Sequence, residues 1–397
     1  MVQERFGHSL IQAKPDRATM TPRHPTIAEI NLAAFRQNLR LVRQRIGPHR
    51  ALLAVVKANA YGHGIVPISK AAISENIQGL GVAFVEEGVQ LRRAGIAQPI
   101  LVMAGFLPEE IEGLLEHRLT PVVSHPDQIE GLRQALEKTS GSIGVHLKID
   151  TGMGRLGMSD NDLVPLIEQA RRVKSIEIIG LMSHLADDDL TDGRPAEDQI
   201  DRFIKAQKTV AALGITVPFL HMANSAAILS LERAWFNMVR PGIMLYGYPP
   251  PSRPGNAVPV KPVMTLKTRI IHLKRVPAGT PVSYGRTYTT RRESLIAVLP
   301  IGYADGYSRA WSNRGEVLIG GRRVPVVGRV CMDMTMVDVT EVPAVGFGDE
   351  AVLIGSQGAE TLSADELARK LGTIPYEILC AVSNRVPRFY HEGAVPS

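Results

Sequence analysis

Eight short apolar runs lie between Ala51 and Leu245, and segments of helical length separate them. The runs are Ala51–Val56, Gly81–Val85, Pro99–Ala104, Pro121–Ser124, Ile143–Ile149, Ile176–Met182, Pro218–Met222 and Asn237–Leu245. Helical spacing fills His63–Glu75, Glu86–Ala94, Pro108–His117, Pro126–Lys138, Asn161–Val173, Ala196–Leu213 and Ser225–Arg233. Several of these open on a capping residue or a proline, as in Ser124-His125-Pro126-Asp127, the usual signature of a helix start. Strands alternating with helices in this way predict a parallel sheet closed into a (β/α)8 TIM-like barrel. An open doubly wound sheet would want a glycine-rich phosphate turn after its first strand. Lys57-Ala58-Asn59-Ala60 is not such a turn.

The pattern changes after the barrel. Tyr248–Pro262 holds six prolines and reads as a stiff linker. Beyond it, Thr265–Leu273, Ser294–Leu299, Glu316–Ile319, Arg323–Val330, Met334–Val339 and Glu350–Ile354 are short, β-branched and often bounded by Gly or Pro. They predict a mostly-β C-terminal domain, with one late helix at Ser363–Leu371. The expected divisions are an unassigned extension over 1–25, the barrel over 26–247, the linker over 248–262 and the β-domain over 263–397.

Composition is that of a globular protein, and no apolar run reaches the length needed to span a bilayer. Met1–Met20 lacks the uninterrupted apolar core of a signal peptide. Cys331 and Cys380 form no Cys-x-x-Cys, which suits reduced thiols and a cytoplasmic setting. The net charge of +6 is carried by the first fifty residues, where nine Lys/Arg face three Asp/Glu. Everything after Arg50 is balanced, so neither nucleic acid nor a membrane is an expected partner.

In a barrel of this kind chemistry sits at the carboxyl ends of the strands, often with a phosphate site after the last two. Lys57 ends the first run. A lysine partly desolvated there would be driven toward its neutral, nucleophilic amine, the form that condenses with an aldehyde. Tyr61 follows it. Lys148, Asp150 and Arg155 leave the fifth run, His184 the sixth, Asn224 and Ser225 the seventh, and Arg240 with Gly242 the eighth. Asn224-Ser225 opens a helix whose free N–H groups favour an anion, and Pro241-Gly242-Ile243 offers unobstructed amides. The two together suit a phosphorylated cofactor.

From about Thr26 to Tyr390 the chain resembles the alanine racemases, pyridoxal-phosphate enzymes of fold type III. The resemblance rests on Val56-Lys57-Ala58-Asn59-Ala60-Tyr61-Gly62-His63-Gly64, on Lys148-Ile149-Asp150-Thr151-Gly152-Met153-Gly154-Arg155-Leu156-Gly157, and on Ala223-Asn224-Ser225-Ala226. It rests further on Val239-Arg240-Pro241-Gly242-Ile243, Val282-Ser283-Tyr284-Gly285, Pro300-Ile301-Gly302-Tyr303-Ala304-Asp305-Gly306 and Gly328-Arg329-Val330-Cys331-Met332-Asp333.

The resemblance implies an isomerase that interconverts L- and D-alanine with pyridoxal 5'-phosphate and no metal, and that supplies D-alanine for peptidoglycan. It implies that Lys57 binds the cofactor covalently and serves one face of the substrate Cα, while Tyr284 serves the other. Tyr284 would come from the partner in a homodimer with shared active sites, and His184 would hydrogen-bond it. Arg240 would meet the pyridine nitrogen, and Arg155 the phenolic oxygen and the substrate carboxylate. Tyr61, Asn224, Ser225, Gly242, Ile243 and Tyr376 would surround the phosphate, and Met332 would touch the substrate carboxylate. Lys148 matches a lysine that some members carry carbamylated. Asp187-Asp188-Asp189 and Met334 depart from the family pattern near the mouth, where they bear on substrate range; a broader-specificity or serine racemase is the alternative.

Overall fold

A computed structural model describes residues 24–139, 141–187, 193–250 and 258–393. Most of the extension over 1–25, residues 251–257 of the linker, and Asp188 and Asp189 of the acidic run lie outside the described residues. The eight apolar runs close into a parallel barrel of Ala51–Val55, Gly79–Val82, Ile100–Val102, Thr120–Val123, Ile143–Lys148, Ile176–Met182, Phe219–His221 and Met238–Val239. The last strand pairs with the first (Ala51 beside Met238), so the sheet has no free edge. The predicted helices stand between the strands with ends moved by a few residues, for example Ile65–Ile73 and Asp160–Arg171.

Local chemistry explains these elements. Asn31 Oδ1 accepts the Ala34 N–H at 2.9 Å and starts the helix Leu32–Ile46. Phe35, Leu39, Val42 and Ile46 then repeat at three- and four-residue spacing and are buried. Each such side chain contributes about 1.5–3 kcal/mol by leaving water.

Three elements differ from the expectation. Ile27–Asn31, expected with the barrel, pairs instead with Met264–Arg269 (antiparallel) and Arg388–His391 (parallel). A strand that precedes the barrel is thus built into the sheet that follows it. Asn237–Leu245 is not one strand: Met238–Val239 ends at Pro241, and a 3-10 turn, Ile243–Tyr246, follows. Proline has no N–H for the ladder, so the chain leaves the barrel wall there. A further short helix, Pro375–Cys380, follows the expected late helix and carries Tyr376.

The C-terminal domain has a sheet ordered Arg322–Pro325, Glu316–Ile319, Glu350–Gln357, Met264–Arg269, Ile27–Asn31, Arg388–His391, with Glu360–Leu362 on Glu350–Gln357. A three-stranded sheet, His272–Val276, Ser294–Leu299 and Thr335–Asp338, stands beside it. The tail returns to the barrel mouth, where the Arg388 guanidinium donates to the Gly62 carbonyl at 3.1 and 3.0 Å. Among the described residues no helix is long and apolar enough to cross a membrane.

Candidate active site

The exits of the barrel strands converge on one cavity of about 530 Å3. Its wall includes Lys57, Tyr61, Lys148, Arg155, His184, Asn224, Ser225, Arg240, Gly242, Ile243 and Tyr376, so eleven of the thirteen expected site residues meet there.

Lys57 opens a turn of uncommon hand. Ala58, Asn59, Ala60 and Tyr61 all have φ of 53°, a left-handed turn that costs L-residues about 1–2 kcal/mol apiece. Hydrogen bonds offset this. Ala58 N–H donates to Glu87 Oε1 at 2.6 Å, Ile65 N–H donates to Asn59 Oδ1 at 2.8 Å, and Gly62 N–H donates to the Ala58 carbonyl at 3.0 Å. Lys57 is open to the cavity yet ringed by protein, and burial, followed by the charge of Arg155, lowers its pKa. The turn therefore presents an amine biased toward its nucleophilic form.

After the last strand, which pairs with the strand that leads to Lys57, Arg240 is buried. It donates to the Ser183 carbonyl (2.7 Å), the Met222 carbonyl (3.1 Å) and His221 Nδ1 (2.9 Å), and reaches His184 Nδ1 at 3.2 Å. Burial lowers Arg240 to about 9, which still leaves it charged at neutral pH. A guanidinium only donates, so both histidines must accept at Nδ1 and carry their proton on Nε2. His221 Nε2 then donates to His146 Nδ1 at 2.7 Å. Burial, then Arg240, keeps His184 and His221 well below the usual imidazole range and His146 at about 3, so the chain of rings is neutral.

The residues expected to form an anion cup lie together, with the Gly242 amide turned onto Ser225. Asn224 Oδ1 accepts the Ala227 N–H at 3.0 Å and opens Ser225–Ser230, while the Gly242 N–H donates to Ser225 Oγ at 3.0 Å. A Cβ on Gly242 would lie 2.4 Å from Tyr61 Oη, so only glycine leaves this hydroxyl in place. Tyr61 itself packs against Tyr246 and Tyr376, with ring centroids 4.6 and 5.8 Å away.

Lys148 is buried, and desolvation, then Arg240 and Arg155, pushes it down to about 7. The loop that carries Arg155 is pinned by Asp150 Oδ1, which accepts the N–H groups of Gly152, Met153 and Gly154 at 2.9, 2.9 and 3.1 Å.

Two expected residues lie elsewhere. Tyr284 and Met332 are 73% and 53% exposed on the β-domain and do not line the cavity of their own chain. Conversely, Glu87, His221 and His146 belong to the site's support without any motif to mark them. Glu87 could have been flagged as the third residue of a helix that follows a strand, a capping position. A histidine within a strand carries no such signal.

The chain matches the alanine racemase N-terminal domain over residues 30–250 and the alanine racemase C-terminal domain over residues 263–390. It is 46% identical to an alanine racemase of Halothermothrix orenii over 366 residues, 92% of this chain and 97% of that one. A solved alanine racemase of Clostridium difficile superposes with a TM-score of 0.89 at 34% identity, covering 94% of this chain and 97% of that one. An alanine racemase of Bartonella henselae, solved with covalently bound pyridoxal phosphate, gives a TM-score of 0.82 at 32% identity over 92% and 99% of the two chains. With both domains matched and the barrel cavity built from the family's motifs, this chain belongs to the alanine racemase family.

Proposed function

We propose that the protein interconverts L- and D-alanine with pyridoxal 5'-phosphate held in the barrel cavity, a cytoplasmic reaction that feeds peptidoglycan synthesis. The observation that carries the reading is the shared cavity of Lys57, the Ser225–Gly242 cup and Arg240.

The residues fit the cofactor. The cavity has the size of a small-molecule site, the Lys57 amine shares it with Ser225 and Gly242, and Gly242 leaves the space that a side chain would fill. Lys57 would hold the aldehyde carbon through its amine. Ser225, the Gly242 and Ile243 amides, Tyr61 and Tyr376 would hold the phosphate. Arg155 would meet the phenolic oxygen and the substrate carboxylate. When bound, the cofactor supplies an electron sink that acidifies the Cα–H of the attached amino acid.

Proton handling falls to the chain. Lys57 Nζ, its pKa lowered by burial, takes or returns a proton on one face of Cα. Arg240, held by carbonyl and imidazole acceptors, would meet the ring nitrogen as a donor that gives up no proton. Such a donor would leave the bound cofactor a weaker sink and so would favour prompt return of the proton to Cα.

The second face needs a second base. We assign it to Tyr284 of a second copy, with Met332 beside the substrate carboxylate. Tyr284, Tyr303, Met332 and Met334 are left exposed on neighbouring turns of the β-domain, and exposed apolar side chains grouped in this way mark a surface that a partner covers. His184 keeps its Nε2–H for the incoming phenol oxygen, which would stabilise the phenolate and so lower the cost of using a group with a pKa near about 10.

Incubating the cofactor-loaded protein with L-alanine in deuterated water tests this. D-alanine carrying deuterium at Cα is expected. Exchange without inversion would remove the second base, and faster turnover of L-serine than of L-alanine would replace the substrate.

A further inference from the structure

Tyr284 stands on a turn that its neighbours hold against backbone preference. Ser283 has φ 65° and ψ −179°, a region that glycine alone occupies freely and that persists elsewhere only where surroundings over-determine it, commonly at functional sites. On the other side of Tyr284, Gly285 has φ 70°.

The surroundings here are specific. Ser283 Oγ donates to the Arg329 carbonyl at 2.7 Å and lies 3.6 Å from Cys331 Sγ. The Arg286 N–H returns to the Ser283 carbonyl at 3.2 Å. The underlying segment passes so close that a Cβ on Gly328 would lie 2.6 Å from Ser283 Cβ. That segment is fixed in turn, since the Gly328 N–H donates to Asn313 Oδ1 at 2.6 Å and Asn313 Nδ2 reaches Thr287 Oγ1 at 3.1 Å. A glycine at 283 would take the same angles without strain. What serine adds is the hydroxyl, and the hydroxyl binds the carbonyl of the neighbouring segment.

We propose that Ser283 is a positioning residue for the racemisation reaction: its hydroxyl staples the turn to the Arg329 carbonyl and so fixes the direction in which Tyr284 leaves the β-domain. The proposal rests on the assignment of Tyr284 as the second base. It separates stability from activity, because relieving the strain and removing the staple act oppositely on the fold but together on the tyrosine.

The test compares Ser283→Gly, Ser283→Ala and Tyr284→Phe in the cofactor-loaded enzyme, reading thermal midpoint, kcat, KM and the deuterium wash-in rate from each alanine enantiomer. Ser283→Gly is expected to keep its midpoint within a few degrees while kcat falls roughly tenfold or more, as for a displaced catalytic group, with KM little changed. Wash-in should fall on the face that Tyr284→Phe also silences and persist on the other. Ser283→Ala should show the same one-face defect with a lower midpoint. Wild-type wash-in on both faces in Ser283→Gly, beside a one-face loss in Tyr284→Phe, would overturn the proposal and leave the role of Tyr284 standing. A midpoint lower in Ser283→Gly than in Ser283→Ala would also overturn it, because the strain would then not be there to relieve. Unchanged wash-in in Tyr284→Phe would instead remove the reading on which the proposal rests.

Discussion

The barrel mouth and the Tyr284 turn of the β-domain present their reactive groups by the same device and finish them differently. Lys57 precedes five consecutive residues at positive φ, and Tyr284 lies between two. The Lys57 turn is braced by its own chain: Glu87 from the helix Val85–Arg93, Asn59 from within, and Arg388 from the tail. The Tyr284 turn is braced only from beneath, and its phenol projects into solvent. One region is a complete half-site and the other a half-site that needs a second molecule. The strained turn in the barrel presents an amine whose pKa burial and Arg155 lower, whereas the strained turn on the β-domain aims a side chain outward.

The largest expected effect comes from erasing either reactive group. Lys57→Ala should lose the absorbance of the covalently held cofactor and essentially all turnover, because no other amine in the cavity stands on that turn. Tyr284→Phe should keep that absorbance and lose about 10²–10⁴ in turnover, the usual worth of a positioned base. Equal loss of Cα exchange from both enantiomers in Tyr284→Phe would break the division of labour between the two regions.

A smaller effect is expected at the cup. Gly242→Ala would place its Cβ against Tyr61 Oη, and overpacking of this kind costs about 1–3 kcal/mol. Titrating the apo-protein with pyridoxal 5'-phosphate should show weaker binding by roughly tenfold to a hundredfold. Unchanged affinity would mean that the cup does not hold the phosphate.

The motifs show half of this difference in advance. Lys57, Arg155 and Arg240 are legible because each lies within or beyond the exit of an apolar run, and a closed barrel gathers such exits at one mouth. The meeting of Asn224-Ser225 with Pro241-Gly242-Ile243 is legible because a capping pair and a Pro-Gly step each follow a strand. The left-handed turn is not, since nothing local in Ala58, Asn59, Ala60 and Tyr61 favours that hand; it exists because Glu87 and Arg388, distant in sequence, hold it. The same holds for Ile27–Asn31, whose residues suit a strand but do not say which sheet will take it. His146 and His221 look like any strand histidines until Arg240 is placed between their strands.

The smallest effect separates the two regions by pH. Among the described residues the histidines shifted down are His63, His146, His184 and His221, all in the barrel, with burial holding His63 at about 4 and His146 at about 3. Unfolded, these rings titrate near about 6.5. Below that pH the unfolded chain binds protons that the folded barrel refuses, so stability falls as pH drops from about 6.5 toward 4. The two tryptophans report separately, Trp235 in the barrel and Trp311 in the β-domain. In single-tryptophan variants the Trp235 fluorescence transition should come at higher pH on acidification. Simultaneous transitions would show that the regions unfold as one unit.

The most direct test of the shared site is complementation. Lys57→Ala and Tyr284→Phe chains, each nearly inactive alone, would be co-expressed with different tags and the mixed species purified and assayed. Two-fold pairing gives such a dimer one intact site and one doubly defective site, so about half of wild-type turnover per dimer is expected. Turnover no higher than that of the two parents would contradict the account and return both bases to a single chain.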